Sequence, residues 1–335
     1  MASSTEKIIG KGGYGVVHEV QLNGRTLARK TYNTVLCPSA IREAVFLTST
    51  KHPNIIRLEA VDFTPTYSSI YLELATDRLY EYIGRGTDLL AVRKILHGIF
   101  CGLQVIHQQG LVHGDLTPFN ILMVGDVPKI ADFGSLQPPR RGAVTTNVAW
   151  SAPEFLLDRI HGFATDVWAV GLSIYEWLSG KEFWSTNIKI DDLLEQQTKL
   201  LGCSISGSLA DFVPEAMKSR QPRLLNPMKH VIYSHISDEK KQLWNDLVNG
   251  CLTIDPSQRW SVDKILSSPL FSDLPRPIPE IMSSRQLIPR KPVTSVEQEA
   301  MAFIIKSLKG SFPDTTTCTE EVIRLLHEHN YRLCV

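Results

Sequence analysis

His113-Gly114-Asp115-Leu116-Thr117-Pro118-Phe119-Asn120 is the stretch on which the reading of this chain turns. Asp115 can accept a proton from a hydroxyl group, and Asn120, five positions on, can ligate Mg2+. Both stand in a loop directly after a long amphipathic pattern, Leu89–Gln109. Farther along, Asp132-Phe133-Gly134 sets a second oxygen ligand on a glycine hinge. Ala152-Pro153-Glu154 follows, and then Asp166-Val167-Trp168-Ala169-Val170-Gly171. Any one of these strings arises easily by chance. All of them in this order and at these spacings do not.

Toward the N-terminus, Gly10-Lys11-Gly12-Gly13-Tyr14-Gly15-Val16-Val17 has the form G-x-G-x-x-G-x-V. Glycines let main-chain N–H groups come close to phosphates. The same letters serve dinucleotide sites and hairpin turns, so context must decide. A β-type run follows these glycines instead of a helix, which favours a loop laid over nucleotide phosphates. Lys30 ends the next β-type run, where it can hold phosphates if an acidic partner fixes it, and Glu43 on the following helix is the candidate.

The chain has 335 residues, enough for about two domains or lobes. Lys and Arg number 35, as do Asp and Glu, and the pI is 7.1. That balance gives no footprint for nucleic acid or an anionic membrane. No unbroken run of 18 apolar residues exists, and the N-terminus lacks the apolar core of a signal peptide. The expectation is an intracellular protein of cytoplasm or nucleus that engages neither nucleic acid nor membrane. Six scattered cysteines without a C-x-x-C pair give no zinc site and no disulfide framework. Residues 7–75 read as short β-type runs (Val16–Val20, Thr26–Lys30, Ser69–Glu73) broken by one helix near Ser39–Ser49. Beyond 79 the pattern turns helical, with Ala164–Ser179 another long segment. The expected class is α+β with two lobes: a β-rich lobe over 1–75 and a helical lobe over 76–273. A Pro-rich spacer over 274–293 follows, then a helical extension over 294–335 with patterns at Val296–Lys309 and Thr319–His329.

On these motifs the chain resembles the eukaryotic protein kinase superfamily over about residues 7–273. The resemblance implies a small antiparallel β-rich N-lobe with one helix, a larger helical C-lobe, and ATP with Mg2+ between them. Lys30 and Glu43 would form an ion pair, Asp115 would be the base, and Asn120 and Asp132 the metal ligands. The Gly10, Gly12, Gly13, Tyr14 and Gly15 loop would cover the phosphates. Val17, Ala28 and Leu122 would sandwich adenine, Leu72 would guard the rear pocket, and the backbone of Glu73 and Ala75 would bond the adenine edge. Glu154 would pair with Arg259 as a buried structural link.

Pro38-Ser39-Ala40-Ile41-Arg42-Glu43 is similar to the PSTAIRE helix of cyclin-dependent kinases with one Thr deleted. That likeness implies a cyclin-like partner at this helix and protein substrates bearing Ser or Thr. Tyr14 matches a position where those kinases are inhibited by phosphorylation, and a phosphate there would repel those of ATP. The departures are as informative. Gly114 replaces the catalytic-loop Arg, Gln137 replaces an Arg after the DFG motif, and Gly142 stands where the activation-loop Thr belongs. Phosphate acceptor and receptors are lost together, which implies a kinase not switched on by phosphorylation at that site. Thr117 replaces a Lys that bridges base and γ-phosphate; its hydroxyl can bond Asp115 but brings no charge. Asn147 stands where a Thr usually packs against the base. Two other readings stand beside an active Ser/Thr kinase. One is a pseudokinase or weak kinase acting as a nucleotide-binding module. The other is a small-molecule or atypical kinase, since His-Gly-Asp-Leu also occurs in such phosphotransferases; those families lack the APE segment and the PSTAIRE-like helix.

Overall fold

A computed structural model describes residues 6–13, 15–32, 37–63, 67–83, 88–142, 146–181, 183, 189–202, 207–218, 220, 221, 223–229, 233–277 and 332–334. Tyr14 and the helical patterns at Val296–Lys309 and Thr319–His329 lie outside them. The chain divides into two compact units. One comprises Met1–Thr76, Ala131–Gly134 and Ile278–Val335, and the other comprises Asp77–Ile130 and Ser135–Pro277.

In the first unit the elements run β1 (Lys7–Gly12), β2 (Gly15–Leu22), β3 (Arg25–Tyr32), α1 (Pro38–Ser49), β4 (Leu58–Phe63) and β5 (Ser68–Glu73). All strand pairs are antiparallel, in the order β1-β2-β3-β5-β4. Asn23 and Gly24, at φ +51° and +77°, turn β2 into β3 with two residues, a geometry whose twist matches the flanking strands. The register sets Val17 opposite Lys30 and Ala28 opposite Leu72, so these four side chains share one face. The opposite face carries a small core of Val20, Leu27, Ala60 and Tyr71, with Leu22 packed against it. α1 starts with Pro38 in its first turn, where the missing N–H costs nothing. It buries Ala40, Ala44, Phe46 and Leu47 together with Glu43.

The second unit begins with β6 (Asp77–Arg78), α2 (Leu79–Ile83), α3 (Leu89–Gln108), β7 (Ile121–Val124) and β8 (Val127–Ile130). β9 (Arg140–Arg141), α4 (Pro153–Asp158), β10 (Ile160–His161) and α5 (Phe163–Ser179) follow. α6 (Ile190–Leu201), α7 (Glu215–Lys218), α8 (Asp238–Cys251) and α9 (Val262–Leu266) complete it. β6, β7 and β8 form a small antiparallel sheet beside the loop that carries Asp115. α3 is capped by Asp88, whose carboxylate accepts from the N–H groups of Leu90 and Ala91. By length and composition α3 is apolar enough to cross a membrane, yet 67% of its most apolar stretch is buried within the fold. Its Ile95, Ile99, Phe100 and Leu103 are core side chains. Cys101 and Cys251 are buried free thiols, with Cys101 pushed up to about 11 by burial.

A last strand, β11 (Arg332–Cys334), returns to the first unit and adds to β4, pairing Arg332 with Asp62 and Cys334 with Ala60. The segment expected to be a helical extension therefore ends in a strand.

Candidate active site

In the first unit, Lys30 Nζ lies 2.8 Å from Glu43 Oε2 and 2.9 Å from Asp132 Oδ1. The Tyr32 hydroxyl donates to the same Glu43 oxygen. Glu43 is fully buried, and its Oε1 has no hydrogen-bond partner. Burial pulls the Lys30 ammonium down, but the two carboxylates outweigh it and hold its pKa above that of an ordinary lysine. Burial and the Glu43 charge push the Tyr32 phenol up. Asp132 has φ +62°, a left-handed conformation that a non-glycine residue adopts at some cost. Its neighbour Phe133 is fully buried against Phe46 of α1, ring centroids 4.5 Å apart. Arg42 donates to the Gly134 carbonyl. α1 and the 131–134 segment are thus locked together around Lys30.

The glycines differ in purpose. A Cβ on Gly15 would lie 2.0 Å from the Thr31 carbonyl, so Gly15 answers to strand packing. A Cβ on Gly12 or Gly13 would meet nothing within 4 Å, so main chain there is open to a ligand. Gly10 sits where the β1–β2 register shifts. Glu73 donates its N–H to the Arg57 carbonyl (3.0 Å) and accepts from the Arg57 N–H through Oε1 (2.9 Å). That N–H is therefore engaged by the Arg57 main chain, just before β4. Ala75 is half-buried beyond the end of β5.

The second unit carries Asp115 and Asn120. Asn120 Nδ2 donates to both the main-chain oxygen (2.7 Å) and Oδ2 (3.0 Å) of Asp115. Oδ1 of Asp115 accepts from the Asn147 N–H (2.9 Å) and lies 3.5 Å from the Thr146 hydroxyl. Buried Asp166 holds the loop from below, accepting from the N–H groups of His113 and Gly114 and bonding His107 Nε2, each at 2.9 Å. Burial would raise the Asp166 pKa, but these donors hold it below the usual carboxylate value. Gly114 has φ +84°, and a Cβ on it would lie 2.6 Å from His161 Nε2. The imidazole of His161 therefore fills the space beside Gly114. It is 2% exposed, its Nε2 has no partner, and burial pushes its pKa down. Thr117 is buried and lines, with His161 and Trp150, a cavity of about 20 Å³. Leu122 is half-buried on β7.

The segment after the DFG motif is tied down by main-chain bonds. Gln137 and Val112 exchange bonds of 3.1 and 2.8 Å, Arg140 pairs with His161 across β9 and β10, and the Gly142 N–H donates to Arg159 (3.0 Å). Below it, Arg259 grips Glu154 with two bonds of 2.6 and 2.9 Å, both side chains all but fully buried.

The protein kinase domain model matches residues 3–271. The chain belongs to the protein kinase family. This kinase is 26% identical to a probable cyclin-dependent kinase 8 of Dictyostelium discoideum, over 87% of this chain and 86% of that protein. It is 28% identical to cyclin-dependent kinase E-1 of Arabidopsis thaliana (80% and 66%) and to cyclin-dependent kinase F-4 of Oryza sativa subsp. japonica (85% and 65%). A kinase domain implies ATP-dependent phosphoryl transfer. The residues present fit that cofactor. Gly12 and Gly13 leave main chain open, and Lys30 is a fixed cation. Asp132 and Asn120 offer only hard oxygen donors, and no cluster of three His, Cys, Asp or Glu forms a separate metal site among the described residues. Oxygen donors of this kind, each taken in its own unit, suit Mg2+, which keeps water and phosphate ligands and needs one or two protein oxygens.

Sequence reasoning missed four members of this kinase's site. The Asn147 N–H is a main-chain donor and has no side-chain signature. Thr146, whose hydroxyl lies near Asp115 Oδ1, belongs to no motif. Tyr32 lies two residues beyond Lys30, hence on the same strand face, and that periodicity was the available signal. His161 became visible only once β10 was seen beside Gly114.

Proposed function

We propose that this chain is an active protein serine/threonine kinase of the cyclin-dependent-like group, working without activation-loop phosphorylation. The observation that carries it is the closed Lys30–Glu43 pair with Asp132 on the same ammonium. Bound Mg2+-ATP supplies the γ-phosphoryl group and the neutralisation of its charge. Lys30, held protonated, binds phosphate oxygens. Asp132 and Asn120 carry the oxygen ligands for the cation. Asp115, aligned by Asn120 and the Asn147 N–H, accepts the proton of the substrate hydroxyl. Thr117 adds no charge at the γ-phosphate, so this site relies on Lys30 and the cation. The main-chain ties at Gln137, Arg140 and Gly142 support a segment over 137–142 that is held without a phosphate.

The test is phosphate incorporation into Ser- and Thr-containing proteins by purified, unphosphorylated chain. Transfer that falls by about 10²-fold or more in Asp115→Asn is expected. Wild-type transfer equal to that of the variant would leave a nucleotide-binding module. A cyclin-like partner at α1 is the second reading, favoured by the Pro38–Glu43 match and by the names of the relatives. A pull-down with assorted cyclins that recovers none removes it.

A further inference from the structure

Two buried nitrogens of the second unit have no hydrogen-bond partner: Nε2 of His161, 2% exposed, and the indole Nε1 of Trp150, 8% exposed. Native folds rarely leave such groups unpaired. Both residues line the cavity of about 20 Å³. His161 turns its Nε2 toward Gly114, as the 2.6 Å approach to a Cβ there shows, and Gly114 lines the same space. That volume takes one water and nothing larger. Thr117 and Asp166 also line it. The Asp166 carboxylate repels an anion, and the Trp150 indole, which can only donate, offers nothing to a cation. A water suits both. It accepts from the indole N–H and gives one hydrogen to His161 Nε2, while Thr117 and Asp166 supply oxygens for the other.

The two ends of such a bridge belong to the two segments that hold Asp115. Gly114, which faces His161, directly precedes Asp115 in the catalytic loop. Trp150 closes the single 3-10 turn Val148–Trp150 that Asn147 opens. The Trp150 N–H donates to the Asn147 carbonyl (3.1 Å), and the Asn147 N–H donates to Asp115 Oδ1 (2.9 Å). His161 is itself fixed on β10, opposite Arg140 of β9. Gly114 brings no side chain of its own, so the link between loop and turn contains no charged side chain at that position.

Resting on the kinase reading above, we infer that His161 and Trp150 bind one buried water, and that this bridge is a positioning device for Asp115. It sets the catalytic loop against the 147–150 turn without a phosphate. His161 and Trp150 act through Gly114 and Asn147; they are positioning residues and take no part in phosphoryl transfer itself.

The water is read from a crystal structure of the full chain. One ordered water is expected at about 2.7–3.2 Å from both His161 Nε2 and Trp150 Nε1. This reading needs no variant and decides the water even where a substituted chain fails to fold. The positioning is read from steady-state phosphorylation of a Ser- and Thr-containing protein. It is run for wild type, His161→Phe, His161→Gln, Trp150→Phe and the His161→Phe/Trp150→Phe pair, with Asp115→Asn as blank. His161→Phe fills the space beside Gly114 and removes the nitrogen; kcat is expected to fall about tenfold with KM for ATP and substrate unchanged. His161→Gln returns a polar nitrogen to that side chain and recovers most of the loss. In the double variant kcat is expected to fall no further than in the weaker single variant, because either change alone breaks the bridge. A cavity without water, or a water bonded to only one of the two nitrogens, overturns the assignment. So does a loss carried by KM, an equal loss in His161→Gln, or losses that multiply in the double variant. Asp115-dependent transfer with wild-type kcat in His161→Phe defeats this inference alone; absence of any such transfer defeats the kinase reading together with the positioning role.

Discussion

Glu43 concentrates more consequence than any other single residue. One of its oxygens serves both Lys30 and Tyr32, the other has no partner, and water does not reach it. Glu43→Gln keeps the shape and removes the charge that fixes Lys30. A loss of about 10²–10³ in kcat/KM is expected from steady-state kinetics, the usual scale for removing one preorganised electrostatic contact. The Tyr32 phenol titrates above its ordinary value of about 10, so folding favours the protonated form. Its contribution is complete below pH 10 and is lost as pH rises toward the folded value. Urea melts between pH 9 and 11 are expected to show a shallower decline for Tyr32→Phe than for wild type. Gly114→Ala tests the pairing with His161. It forces a left-handed alanine, costing about 1–2 kcal/mol, and sets a methyl group into the imidazole. Adding His161→Ala is expected to recover the steric part alone, which a double-mutant cycle measures.

Among elements, the catalytic loop is hung from α5 by Asp166, and α4 is pinned by Arg259. Arg259 also donates to the carbonyls of Thr253, Ala164 and Ile254 and lies over the Trp168 ring. Arg259→Ala strands the buried Glu154 carboxylate; about 3–5 kcal/mol of stability is expected to go, read from the denaturant midpoint. Asp166, depressed below its ordinary value, stabilises above about pH 4 and loses that contribution as pH falls through its folded value. Asp166→Asn is therefore expected to be less stable at neutral pH and to show a flatter acid limb. The elements themselves were largely legible in the chain. The run Thr26–Lys30, the helix near Ser39 and the long amphipathic segments carry periodicities set by one buried face, and each is present in the fold. Asp115 and Asn120 come together because five residues of one loop encode their own geometry, whereas Lys30, Glu43 and Asp132, the latter two 13 and 102 positions beyond Lys30, were legible only through the order of motifs on which the family resemblance rests. What stayed illegible was long-range or main-chain. The Asn147 N–H on Asp115, the Arg57 hold on Glu73 and the imidazole over Gly114 depend on pairings between distant segments that no local pattern reports.

At the scale of the whole molecule, β11 makes the first unit's sheet depend on a segment far along the chain. Without Arg332–Cys334, β4 would present open N–H and carbonyl groups along its edge. A chain ending at residue 331 is expected to lose hydrogen-exchange protection at Ala60–Asp62 while keeping it in β2 and β3. The pairing also has a bearing on biosynthesis. Arg332 lies 270 positions after its partner Asp62. At roughly 5–20 residues per second a ribosome takes about 15–50 s to cover that distance. For that interval the nascent five-stranded sheet must hold with a bare border while the second unit is still emerging. Any factor that shields unpaired strands in newborn chains can therefore act at β4 until Arg332–Cys334 arrive, and the last residues of the sheet to be translated are the ones that cover that border.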